Sequence, residues 1–300
     1  MVLKPQIRSK GKAQADRESA VPPQAGASDG VLKPLLNELT GMFSKNPKIK
    51  IFADADAMSR AAAEAIVAHL SESLQTHNVY SIALSGGSTP RRLYALWTGD
   101  AKLRKQIPWD RIHFFWGDER HLPPDHPDSN YHMACEAMLS KVPVPPTNIH
   151  RMRGEDPDAG KIAGDYEREI CRFFKIRIGQ MPRFNCVLLG MGLDGHTASL
   201  FPGTPALQEP SRLVVANWVK KFHCFRITLT APVLNNAERI LFLVSGEEKA
   251  DILKTVLEGP RAPDRYPAQL IQPAHGSVKW FLDRSAAKRL VLDPQGLPSN

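Results

Sequence analysis

Three apolar runs in this chain each end in a short turn built from glycine and hydroxyl-bearing or charged residues. Val79 to Leu84 runs into Ser85-Gly86-Gly87-Ser88-Thr89-Pro90, and Arg111 to Trp116 runs into Gly117-Asp118-Glu119-Arg120. Phe184 to Leu189 runs into Gly190-Met191-Gly192-Leu193-Asp194-Gly195-His196-Thr197. Near-continuous apolar runs read as strands covered on both faces, which is the habit of parallel sheets. The runs are separated by helix-like text, so the pattern predicts a doubly wound α/β fold, mainly parallel, with helices on both faces. Ligands of such sheets sit beyond the carboxyl ends of the strands. All three polar turns fall there, so one crevice can gather them.

The remaining elements fit this frame. Lys48 to Ala53 reads as a strand and Ala55 to Gln75 as an Ala-rich helix, with further helices at Arg91 to Trp97, Tyr131 to Leu139 and Ala159 to Phe174. Leu213 to Val219, Phe225 to Leu229 and Ile240 to Val244 read as later strands, the last followed by a helix from Glu247 to Glu258. Fewer helices separate these strands, which predicts a mixed or antiparallel edge. A single catalytic domain over residues 46–293 is expected, with a tail at 294–300. The stretch 1–45 begins with about 30 residues almost free of large apolar side chains, too few to offset the entropy of ordering them. It reads as a disordered leader, with one short helix from the spacing of Leu32, Leu35, Leu36, Leu39 and Met42.

The net charge of +8 raises the question of a nucleic-acid partner. The leader supplies +3 of it, and the basic residues of the remainder are scattered, so an anionic small molecule fits equally well. Cys135, Cys171, Cys186 and Cys224 include no CxxC pair and read as reduced thiols in a cytoplasmic protein. No apolar run approaches the ~20 residues of a membrane span, and no apolar signal-peptide core is expected at the N-terminus.

Each turn has its chemistry. In Ser85 to Pro90 the glycines let backbone N–H groups approach an anion, while Ser88 and Thr89 add hydroxyls and the following helix adds a favourable dipole end. The turn is neither a P-loop nor a GxGxxG fingerprint. In Asp118-Glu119-Arg120 the two carboxylates point to opposite faces if the segment is extended, and Arg120 is suited to phosphate oxygens. In the third turn His196 is the natural proton acceptor near neutrality, with Asp194 placed to orient its ring or meet a substrate hydroxyl. His113, His121, His126 and His132 lie close in sequence, yet HExxH and paired Cys/His spacings are missing, so no metal is expected. A serine-nucleophile elbow, GxSxG, is also missing.

Six blocks in register resemble one family: ALSGGSTP at 83–90, WGDER at 116–120 with DSNY at 128–131, GMGLDGHTASLFPG at 190–203, RITLT at 226–230, LVSGEEKA at 243–250 and WFLDRSAA at 280–287. The chain is similar to the 6-phosphogluconolactonases, which share a superfamily with glucosamine-6-phosphate deaminases. The resemblance implies cofactor-free hydrolysis of 6-phospho-D-glucono-1,5-lactone to 6-phosphogluconate, the second step of the oxidative pentose phosphate pathway. It implies His196 as general base and Asp194 as its companion. Ser85, Gly86, Gly87, Ser88, Thr89, Asp118 and Gly195 would lie along the substrate, and Arg120, Arg226 and Lys249 around its phosphate. The expected partner is the phosphorylated lactone, with neither nucleic acid nor membrane, and a monomer or small homo-oligomer.

The chain departs from the pattern at His223-Cys224, where lactonases often carry prolines. Two alternatives remain at this point. A glucosamine-6-phosphate deaminase/isomerase would carry a glutamate shortly after the histidine and a tyrosine after the Asp-Glu pair. Thr197 to Pro202 has no carboxylate, and Arg120 stands in the tyrosine's place. A non-enzymatic sugar-phosphate sensor or nucleic-acid-binding module would use the basic leader, and would have no need of the Asp194/His196 pair.

Overall fold

The computed structural model describes residues 48–291, so the expected leader with its helix and the expected tail lie outside the described residues. β1 (Lys48–Phe52) leads to α1 (Ala55–Ser73), whose first turn is capped by Asp54 Oδ1 accepting from the N–H groups of Asp56 and Ala57 at 3.0 and 2.8 Å. β2 (Tyr80–Leu84) is buried at every residue. α2 (Ser88–Gly99) starts earlier than expected, so that Ser88, Thr89 and Pro90 form its first turn. Proline suits that position because its missing N–H has no intrahelical acceptor there. α3 (Ala101–Gln106), β3 (Ile112–Trp116) and the short β4 (Asp118–Arg120) follow.

α4 (Asn130–Ala137) and α5 (Ala159–Phe174) precede β5 (Cys186–Leu189), which is again buried throughout. β6 (Val214–Val219) and β7 (Cys224–Leu229) form an antiparallel hairpin. α6 (Ala231–Asn235), β8 (Arg239–Val244), α7 (Ala250–Glu258), β9 (Ser277–Asp283) and α8 (Arg284–Ala287) complete the described chain.

Six strands make one sheet in the order β1-β9-β8-β5-β2-β3, and every pairing in it is parallel. The expected parallel α/β core is therefore present. From β2 the chain moves outward to β3, then returns to the other side of β2 as β5 and proceeds away through β8. The winding reverses between β2 and β5, so their carboxyl ends open a crevice between loops that leave in opposite directions.

Two expectations need correction. The antiparallel strands are not an edge of the main sheet; β4, β7 and β6 form a separate three-stranded sheet. Gly117 makes the division. Its N–H donates to Leu84 O in the main sheet and its carbonyl accepts from Leu229 N in the small one, both at 2.8 Å. The segment 118–120, read above as a charged turn, is consequently a strand. β9 was not expected as a strand, since Ser277, Lys279 and Asp283 break up its apolar residues. It lies between β1 and β8, and Trp280 stacks on Phe242 of β8 with ring centroids 3.8 Å apart.

Candidate active site

A cavity of about 630 Å³ opens at the switch point. Its wall takes residues from all three turns: Ser85 to Thr89, Asp118 and Arg120, and Gly190, Gly192 and His196. Arg226 of β7 and Lys249, from the turn before α7, close it. Convergence of the strand-end clusters was the central expectation from the sequence, and the topology brings it about.

The turn after β5 is folded around His196. Gly192 N–H donates to His196 O at 2.9 Å, Gly195 N–H donates to Gly192 O at 3.1 Å, and Gly195 takes a positive φ of 75°. Asp194 Oδ1 accepts from the His196 backbone N–H at 3.2 Å and meets the ring Nδ1 at 2.5 Å. Burial works against the charged form of Asp194. The hydrogen bonds from His196 outweigh it and hold the carboxyl well below the usual carboxylate range. An ionised carboxylate only accepts, so Nδ1 carries the proton and the lone pair lies on Nε2. Phe201 stacks on the imidazole at 4.1 Å and helps fix the ring plane. Ala198, also in the cavity wall, has a positive φ of 48°, a strained value for a residue with a Cβ.

The turn after β2 meets α4. Gly87, with φ at 105°, starts α2 with no side-chain cap among the described residues, so the first N–H groups of that helix are open to water or to an anion. Gly86 is required for a different reason: a Cβ there would stand 1.8 Å from Asn130 Oδ1. Thr89 Oγ1 is tied to Ser245 Oγ at 2.9 Å, joining this turn to the one after β8. The Ser85 hydroxyl is buried beside the cavity, with no hydrogen-bond partner among the described residues.

Asp118 and Glu119 divide as strand geometry requires. Asp118 faces the cavity, where its Oδ2 accepts from Ser199 Oγ at 2.6 Å and its carbonyl from Asn130 Nδ2 at 2.9 Å. Glu119 turns away into the protein. There its carboxylate accepts from Ser129 Oγ and from the N–H groups of Asn130, Tyr131 and Arg120, at 2.7 to 3.1 Å. Burial pushes the Glu119 carboxyl up against these hydrogen bonds. It anchors the start of α4 and so the placement of Asn130.

Arg120 and Arg226 stand opposite each other in the β4–β7 ladder. Arg120 Nη1 donates to Asp128 O. Among the described residues neither arginine, nor Lys249, has a carboxylate oxygen within 4.0 Å. Burial lowers the pKa of Arg226, and the neighbouring charge of Arg120 adds to that, while burial likewise lowers that of Lys249. Three cations held partly out of water without an ion-pair partner make a site that favours an anion.

The family model for glucosamine-6-phosphate isomerases/6-phosphogluconolactonase matches residues 53–280. The chain belongs to this family. A 6-phosphogluconolactonase from Synechocystis is 39% identical over 244 residues, covering 81% of this chain and 98% of the relative. One from Nostoc is 41% identical over 243 residues, with the same coverage of each chain. The solved structure of the 6-phosphogluconolactonase from Trypanosoma cruzi is 31% identical, with a TM-score of 0.74 over 83% of this chain and 98% of that one.

Sequence reasoning missed several residues of the cavity wall. Asn130, Ser199, Phe201 and Phe222 all line the cavity. Only Asn130 left a signal, in Gly86, whose lack of a Cβ marks a close neighbour. Two expected site residues do not line the cavity, Asp194, which bonds the His196 ring, and Gly195. The Gly195 carbonyl accepts from Ala268 N at 2.8 Å, and a Cβ on Gly195 would stand 3.2 Å from the Tyr266 ring. Its contribution is the positive φ that turns the backbone between Asp194 and His196. Of the four histidines weighed as ligands, His113 bonds His150 at 3.0 Å and His121 bonds the Asp156 carbonyl at 2.6 Å. Among the described residues no three His, Cys, Asp or Glu side chains are grouped to hold a metal ion.

Proposed function

We propose that this chain hydrolyses 6-phospho-D-glucono-1,5-lactone to 6-phosphogluconate with His196 as the general base. The observation that carries the reading is one cavity holding both an Asp194-oriented imidazole and three cations with no ion-pair partner among the described residues. The family relatives act as 6-phosphogluconolactonases by name.

His196 Nε2 takes a proton from water as the water oxygen attacks the lactone C1 carbonyl. The imidazolium, stabilised by Asp194, then donates that proton to the ring oxygen as the C1–O bond breaks. The N–H groups of Gly192 and Gly195 are spent within their own turn, so donors for the oxyanion come from the start of α2. Arg120, Arg226 and Lys249 meet the phosphate. Residues 46–293 act as one catalytic unit in this reading, in the cytoplasm, where the four free cysteines stay reduced.

The deaminase reading needs a carboxylate after the histidine. In the segment 197–202, Thr197 bonds Gly190 O at 2.9 Å, Ser199 bonds Asp118, and Phe201 packs on the ring. This disfavours ring opening of an amino sugar.

The test follows disappearance of phosphorylated and unphosphorylated lactone above the spontaneous rate. His196→Ala is expected to lower kcat by roughly 10²–10⁴-fold with the fold intact. Unchanged turnover removes His196 from the role, and ammonia release from glucosamine 6-phosphate overturns the lactonase reading.

A further inference from the structure

We propose that Lys221, in the turn joining β6 to β7, is a positioning residue for the Asp194–His196 pair, an inference that rests on His196 being the base. Both hydrogen bonds from His196 fall on one oxygen of the carboxylate, Oδ1. The other oxygen, Oδ2, has the Lys221 ammonium 3.8 Å away. A carboxylate held at one oxygen alone can rotate about Cβ–Cγ and exchange the oxygen it offers to Nδ1. A cation on Oδ2 selects one orientation and keeps the ring tautomer fixed.

The neighbouring residue reaches the same pair from its other side. Phe222 packs edge-on against Phe201 at 5.7 Å, and Phe201 is the ring stacked on His196. Two cations approach the Phe222 ring, Lys221 Nζ at 5.4 Å and the Arg226 guanidinium at 5.5 Å. His223, with a positive φ of 48°, closes the turn 220–222 and sends the chain back into β7. Two consecutive side chains of one turn thus touch the carboxylate and the aromatic support of the base. The turn belongs to the small sheet and the pair to the main one, so Lys221 links the two walls of the crevice.

Lys221 is 64% exposed, so as an ion pair it adds little to stability. Its effect is on orientation and on the charge around the ring. The other charged groups near the pair are Lys249 and Glu248 from the turn before α7, Arg120, Arg226 and Asp118 from the small sheet, and Asp264 and Arg265 beside the Tyr266 that packs on Gly195. All are unchanged in the variants below.

The experiment is a steady-state pH profile of the whole chain on the phosphorylated lactone, for Lys221→Met, Lys221→Arg and His196→Ala, with thermal melts as a fold control. Lys221→Met is expected to lower kcat about tenfold and leave KM within about twofold, the signature of a misplaced base. Lys221→Met removes a positive charge beside the pair, so the acid limb of kcat/KM is expected to move to higher pH. Lys221→Arg is expected to restore most of both. A raised KM with kcat intact overturns the proposal and makes Lys221 a substrate contact. An unchanged kcat and acid limb also overturns it; if His196→Ala is inactive in the same series, the base stands and only Lys221 loses its role. Full turnover in His196→Ala brings down both.

Discussion

The His196 ring lies so close to Gly192 that a Cβ at residue 192 would stand 2.1 Å from both Cε1 and Nδ1 of the imidazole, and 2.9 Å from Asp194 Oδ1. Gly192 is thus the floor on which the base is seated. Phe201 is the opposite wall. Gly192 at one contact, Phe201 stacked at 4.1 Å and the Nδ1–Asp194 bond together restrict the orientations open to the ring.

Gly192→Ala is therefore expected to expel the ring from its slot. Gly192 has no positive φ, so the methyl adds no backbone strain and the protein folds. The expected outcome is a kcat loss of roughly 10²-fold, close to that of His196→Ala, with a melting temperature near the parent's. Lactone consumption and a thermal melt measured on one preparation decide it; near-normal turnover would show that the slot can widen.

Arg226 is expected to act through binding of the phosphate. Arg226→Leu keeps apolar packing on Phe222 while removing a guanidinium without an ion-pair partner among the described residues. KM for the phosphorylated lactone should rise by about 10–100-fold, since a charge-assisted contact is worth roughly 1.5–3 kcal/mol. Activity on the unphosphorylated lactone should change little. Equal losses on both lactones would remove Arg226 from the phosphate.

Glu119→Ala leaves the N–H groups of Asn130 and Tyr131 without the acceptor they share. The expected cost is about 2–3 kcal/mol in urea unfolding, from a lost buried cap and stranded donors. Activity should fall as well, because α4 carries Asn130 to Gly86. A variant as stable as the parent would show that water replaces the carboxylate.

His113 sits away from the cavity, half-buried beside His150 and Phe173. Burial holds its pKa down to about 4, with the neighbouring His150 adding to the effect. In the unfolded chain the group titrates near ~6.5, so between these values the unfolded state binds more protons and stability falls as pH falls. His113→Phe is expected to flatten the decline in melting temperature from about pH 6.5 to pH 4.5. Parallel curves for parent and variant would show that other groups govern the acid limb.

Much of this protein was legible locally. Apolar runs such as Tyr80 to Leu84 and Cys186 to Leu189 declare buried parallel strands, because a strand covered on both faces has no polar side to show. The turns at their ends declare a site through residue chemistry alone: glycines where backbone must come close, one imidazole, one carboxylate and hydroxyls at a helix start. Alternation along 118–120 was enough to separate the roles of Asp118 and Glu119.

Other features lay outside the reach of local pattern. β9 hides because a strand inserted between β1 and β8 is recognised by its neighbours, and Trp280 finds Phe242 only in the folded sheet. The small sheet depends on Gly117 bonding Leu84 on one side and Leu229 on the other, residues far apart in the chain. Asn130 on Gly86, Phe201 behind His196 and Lys221 on Asp194 are likewise contacts between separate elements. The sequence by itself determined which residues can bind an anion and move a proton. Tertiary structure decided that these residues share one cavity, because the winding reverses between β2 and β5 and places the turns that follow them side by side.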